Sequence, residues 1–199
     1  MEHFAAVDIG ATKTVVEQAL LYDSLLRAYR GEGMDGLDEL AAGMEEALTL
    51  EIDSRLVEKA KSATMIYFAG RNTGVAEELT LKTNEITRKK ADFLEGTYAV
   101  HGIEEVMDAR ELVVIVEPYE SEEEKFRECL VEGVGLEVMA ISTRQTGFPT
   151  MVIPDAGPFQ PYVELAAGWN LLVEIGIAAG IDLDKPERAR KVGNLYQGG

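Results

Sequence analysis

The chain has 199 residues, 46% hydrophobic and 28% charged, a balance that suits one ordinary globular domain plus an accessory segment and excludes a disordered chain. Its 36 acidic residues against 19 basic ones give a net charge of −17, which argues against clustered Lys and Arg neutralising phosphates and so against nucleic acid as a partner. Cys129 is the only cysteine, so no intramolecular disulfide and no thiolate metal site is expected, and a reducing compartment fits.

The opening MEHFAAVD lacks the basic start and apolar core of a signal peptide, and residues 4–7 are predicted to form a short strand. A helix is predicted over 14–29, where Val16, Leu20, Leu21 and Leu25 recur with helical spacing. Gly31, Gly33 and Gly36 interrupt the pattern, and helices are predicted again over 37–48 and 52–61. From residue 63 the rhythm changes. ATMIYFAG reads as a strand ending in glycine, followed by a helix over 75–88. ADFLEG and LVVIVEP read as further strands, the second leading into a charged helix over 121–131 and then the strand LEVMAIS. A last strand, TMVIP, runs into a loop holding Pro154, Gly157, Pro158 and Pro161 and a helix over 162–180. Glu164, Asn170 and Glu174 mark that apolar stretch as a buried helix rather than a membrane span. A polar tail, 182–199, is broken by Pro186.

Strands apolar throughout and alternating with helices predict an α/β fold, a three-layer αβα sandwich around a parallel sheet. Ligands of such open sheets bind at the carboxyl ends of strands, so the loops after Phe68, Leu94 and Val116 are the first places to seek chemistry. The protein is expected in the cytoplasm, without a membrane partner.

Individual motifs are weak. FAGRNTG has the look of a phosphate-binding turn, since glycines and a helix start present N–H groups to an anion, yet it lacks the dinucleotide and Walker spacings. VDIGATKT is similar to the first phosphate loop of sugar kinases of the actin-like fold, but a hairpin strand should follow there and a helical run follows here. Lys82 and Glu85, three apart on one helix, suit an ordinary surface ion pair. His101 lies beside Gly102 in a predicted loop, where imidazole is more often solvated than catalytic. Lys191 sits in the polar tail.

Together these residues resemble the sugar isomerase (SIS) domain family, in particular the C-terminal isomerase half of glucosamine-6-phosphate synthase and related phosphosugar isomerases and deaminases. FAGRNTGVAEELTLKTNEI is similar to the family's strand, Gly-Arg turn and following helix, with Lys82 and Glu85 at its Lys-x-x-Glu. His101-Gly102 falls on the family's His-Gly without a gap from Glu85, and GIDLDKPERARK resembles the closing segment, placing Lys191 at its terminal lysine. Upstream, IGATKTVVEQALL resembles a helix start of the preceding isomerase domain. The resemblance implies a helical segment over 1–61 from the end of that domain, an isomerase domain over 62–181 and a tail over 182–199.

It also implies a catalytic set of Glu85, His101, Lys82 and Lys191, with Gly70, Arg71, Ala11 and Thr12 binding substrate and neither metal nor cofactor. Glu85 would move the proton between C1 and C2 of a phosphorylated sugar, His101 would assist ring opening, and Lys82 would stabilise charge on the sugar oxygen. Lys191 would form a Schiff base with the open-chain ketose, its neutral form favoured by desolvation or by Arg88, Arg188 and Arg190. In relatives the histidine crosses a dimer interface, so a homodimer is implied. The Ser/Thr-rich loop that grips the phosphate in relatives is not among these residues and is expected from sequence outside them. The activity expected is that of an aldose–ketose isomerase or an amino-sugar phosphate converting enzyme. The alternative is a non-catalytic module that senses sugar phosphates.

Overall fold

The computed structural model describes residues 12–185 and 187–188. The strand predicted at 4–7 lies outside them, as do Ala11 and Lys191. Five strands, β1 Met65–Gly70, β2 Lys90–Glu95, β3 Leu112–Val116, β4 Glu137–Ser142 and β5 Thr150–Val152, form one sheet in the order β2-β1-β3-β4-β5. Every neighbouring pair is parallel. The α/β sandwich read from the sequence is therefore the fold observed.

The apolar runs are buried on both sides because successive side chains point to opposite faces. Ile66, Phe68, Leu112, Val114, Met139 and Ile141 join one core, while Tyr67, Ala69, Val113, Ile115 and Val138 join the other. The helices are α1 Thr12–Arg30, α2 Leu37–Thr49, α3 Ser54–Ser62, α4 Val75–Lys82, α5 Glu123–Phe126 and α6 Gln160–Ala178. Residues of α2, α3, α4 and α6 fill the first core, and Phe126 of α5 packs in the second. Residues 12–20 are helical, which rules out a kinase-like hairpin strand there. Among the described residues no helix is long and apolar enough to cross a membrane.

Two predicted helices are less regular than their periodicity suggests. The one predicted over 75–88 is α-helical only through Lys82 and widens into a π-helical turn, Thr83–Thr87. Thr83 and Thr87 each donate a hydroxyl to a carbonyl one turn back, Leu79 and Thr83, which accompanies such distortion. The one predicted over 121–131 opens with a 3-10 turn, Glu120–Glu122, and passes from α5 into a π-helical stretch, Arg127–Val134, ended by Gly135 at φ 81°.

The seat of α4 on α6 depends on a small residue. A Cβ built on Gly168 would stand 2.4 Å from Leu79 Cδ2 and 2.5 Å from Cδ1, closer than carbon atoms pack, and Leu79 is itself fully buried. Gly168→Ala is expected to cost about 1–3 kcal/mol, the usual price of overpacking a core, as read by urea unfolding.

Candidate active site

The topology sorts the sequence-predicted site residues into two places. β1 delivers the chain to the carboxyl edge of the sheet, where Gly70 and Arg71 stand; α4 then runs back and hands the chain to β2 at Lys90. Lys82 and Glu85, in the last turns of this helix, therefore lie toward the amino edge, not in the cleft at the strand carboxyl ends where the crevice rule points. The rule holds for loops that follow strands, and these two residues belong to the returning helix.

Lys82 is 2% exposed although it carries an ammonium group. A buried charge needs partners. Its Nζ donates to Glu85 Oε2 at 2.9 Å and stands 3.5 Å from Glu78 Oε1. That second separation is long for a hydrogen bond, and Glu78 Oε1 is buried without one. Burial pushes the Glu78 carboxyl upward, Lys82 opposes the shift, and the charges of Glu85 and Glu77 add to it. Lys82 thus bridges two carboxylates, of which Glu85 is the more open to solvent. Glu78 was missed in the sequence, although its position four residues before Lys82, on the same helical face, was a usable signal.

Glu85 sits inside the π-helical turn, a distortion that re-aims side chains and recurs at functional sites. Gly176 of α6 faces this turn: a Cβ there would stand 3.3 Å from the Ile86 carbonyl and 2.7 Å from Leu183. Next to it, Arg88 donates to Glu187 and to the Lys185 carbonyl at 3.2 Å, which holds the start of the tail against the end of the Glu85 turn. Lys191 lies beyond the described residues.

His101 follows β2, at the other end of that strand from Glu85, and caps a turn whose Ala99 and Val100 belong to the opposite core. Its Nε2 pairs with Thr97 Oγ1 at 2.9 Å, and among the described residues no hydrogen bond or ion pair joins it to Lys82 or Glu85. Thr12 opens α1. At the carboxyl edge the Arg71 guanidinium is committed to backbone: Nε donates to the Glu117 carbonyl, Nη2 to that of Pro118 at 3.0 Å, and its carbon lies 4.3 Å over the Tyr119 ring. Among the described residues no group of His, Cys, Asp and Glu has the arrangement of a metal site.

Solved structures share this architecture. The C-terminal domain of glucosamine-fructose-6-phosphate aminotransferase from Francisella tularensis aligns with a TM-score of 0.60 at 22% identity, over 75% of this chain and 46% of that one. Glucosamine-6-phosphate deaminase from Thermotoga maritima aligns with a TM-score of 0.65 at 20% identity, over 83% and 51%. Tagatose-6-phosphate ketose/aldose isomerase from Escherichia coli aligns with a TM-score of 0.51 at 19% identity, over 67% and 43%. The chain spans about half the length of these structures. No protein-family model and no curated protein matches the sequence. At such identities the likeness carries the fold, and in the fold the resemblance to sugar isomerase domains is borne out.

Proposed function

We propose that the chain is a phosphosugar-handling protein of the sugar isomerase kind, acting as an aldose–ketose isomerase or an amino-sugar phosphate converting enzyme. The observation that carries this reading is the buried Lys82 held against Glu85 at a helix end, within a fold shared with enzymes of phosphorylated sugars. Glu85, the partly exposed member, is the base that moves the proton between C1 and C2. Lys82 supplies a fixed positive charge beside the oxygen that becomes negative as the enediol forms. Glu78 is a positioning residue that holds the ammonium from the far side.

His101 assists ring opening from the partner subunit of a homodimer, an arrangement favoured by its distance along the fold from Glu85 in its own chain. Lys191 reaches the open-chain ketose from a tail whose start Arg88 fastens beside the Glu85 turn. Ala11 and Thr12 complete the substrate contacts, whereas Gly70 and Arg71, at the opposite edge of the sheet with Arg71 held by backbone carbonyls, shape the turn after β1; the protein works in the cytoplasm.

The test is conversion. Fructose 6-phosphate, tagatose 6-phosphate and glucosamine 6-phosphate are incubated separately with the protein, and products are resolved by NMR. Aldose–ketose interconversion or ammonia release from one of them supports the enzyme. Saturable binding with no product from any of them moves the assignment to a sensing module, which needs neither a base nor a Schiff-base lysine.

A further inference from the structure

Helix α1 meets the protein with one side and carries most of its large apolar residues on the other. Val16, Leu20, Asp23 and Arg27, at intervals of four, three and four, form the inner side. Val16, Ala19 and Leu20 pack on the first core, Arg27 pairs with Asp23 at 3.1 Å, and its guanidinium lies 4.6 Å over the Phe159 ring of the segment before α6. Gln18, Tyr22, Leu25 and Tyr29 repeat the same intervals two residues later, which turns them about 200° around the helix and onto the outer side. Leu21 and Leu26 flank this stripe.

Tyr29 is 92% exposed, Tyr22 66%, and Leu21, Leu25 and Leu26 57% each. Among the described residues no other element exposes more than two large apolar side chains. A helix apolar on its outer as well as its inner side belongs inside a larger body. With tyrosine burying roughly 150–250 Å², the five residues offer a patch on the order of 600 Å². Gln18 and Ala28 bring it toward the about 800 Å² that each partner contributes to a standard interface.

The pattern of the stripe says what covers it. Intervals of four, three and four make the seam of a coiled pair of helices, with Tyr22 and Tyr29 at one seam position and Gln18 and Leu25 at the other. Laid antiparallel on itself, the seam closes in four layers: Tyr22 meets Leu25 and Gln18 meets Tyr29, and symmetry repeats both pairs. At the margins Leu21 then faces Ala28 and Leu26 faces Ala19, a large residue against a small one on each side. Gln18 falls in the outermost layers, where its amide can bond the tyrosine hydroxyl and still reach water. The helix carries three basic and two acidic side chains in a chain of net charge −17, so two copies repel each other less here than over the acidic remainder.

We infer that the outer face of α1 is the contact surface for a second copy of this chain, the two helices packing antiparallel about a two-fold axis level with residues 23–24. The inference goes beyond the phosphosugar reading and uses none of its site residues. The contact also differs from the one by which His101 enters a partner's site, because α1 lies over the first core and the turn at His101 belongs to the second.

The test uses the whole chain in two measurements. Light scattering of the purified protein across micromolar concentrations should give an even number of chains. Leu25→Lys should halve that number and raise the dissociation constant at least about tenfold, because a two-fold contact suffers every substitution twice. Circular dichroism of the variant should match wild type, since the side chain is exposed in the single chain. For the second measurement, chains carrying Cys129→Ser and Tyr22→Cys are mixed with chains carrying Cys129→Ser and Leu25→Cys, allowed to exchange, and oxidised. Disulfides between unlike chains are expected over disulfides between like ones. Wild type running as single chains overturns the proposal. So does an assembly whose mass Leu25→Lys leaves unchanged, which hands the stripe to another segment or another protein. Disulfides formed only between like chains overturn the antiparallel pairing.

Discussion

Lys82→Met is expected to destabilise the protein by about 3 kcal/mol at pH 8, the low end of the cost of removing one partner from a buried ion pair. The side chain is almost completely buried, and methionine nearly matches its volume, so packing is retained while the charge is lost. Glu78 and Glu85 are then left as neighbouring carboxylates without a counter-charge. The buried Glu78 anion is then penalised in the folded state, so the stability of the variant falls as pH rises through its raised folded value and recovers below it. Urea unfolding at pH 8 and pH 5 checks this, and the gap to wild type should narrow at the lower pH. Adding Glu78→Gln should restore part of the loss at pH 8. A small gap that is equal at both pH values would mean that Lys82 balances no buried charge.

Glu164→Gln should have an opposite and comparably large effect. The folded carboxyl titrates at about 7 against an ordinary value of 4.5, so between these values the unfolded chain is ionised while the folded protein keeps its proton. Each pH unit in that window costs the folded state about 1.4 kcal/mol, on the order of 3 kcal/mol in total. The stabilising effect of the proton is complete below about pH 4.5 and gone above about pH 7. Glutamine does not titrate, so the variant should gain on wild type by about that amount between pH 4.5 and pH 8. Thermal unfolding across this range measures the difference, and a constant difference would show that Glu164 is not desolvated.

Much of the fold was legible because the residues that carry it act locally. Leu112–Val116, apolar at every position, announces a strand buried on both faces, and its parallel neighbours follow from the helices between the strands. The spacing of Lys82 and Glu85 was legible for the same reason, as both lie on adjacent turns of one helix. Other features depend on contacts far apart in sequence. Glu164 read only as a polar residue that kept α6 out of a membrane, because its surroundings come from β1, β2 and β3, whose positions no local pattern reveals. The separation of His101 from Glu85 within one chain fits the interface crossing that the resemblance implies, but no local pattern displays it: a full strand runs between them and the two belong to opposite layers. The π-helical turn around Glu85 escaped periodicity, since one extra residue in a turn leaves the apolar pattern almost intact.

The central claim is that Glu85 moves a carbon-bound proton of a phosphorylated sugar, and isotope exchange tests it most directly. The protein is incubated in deuterium oxide with fructose 6-phosphate, and incorporation at C1 is followed by NMR for wild type, Glu85→Gln and Glu85→Asp. Incorporation is predicted for wild type and should fall roughly 10²–10⁴-fold in the glutamine variant, the usual contribution of a general base. Aspartate, which keeps the carboxylate on a shorter arm, should recover part of it. Incorporation at the same rate in wild type and Glu85→Gln, with both folded, would contradict the claim, and so would no incorporation above the protein-free control.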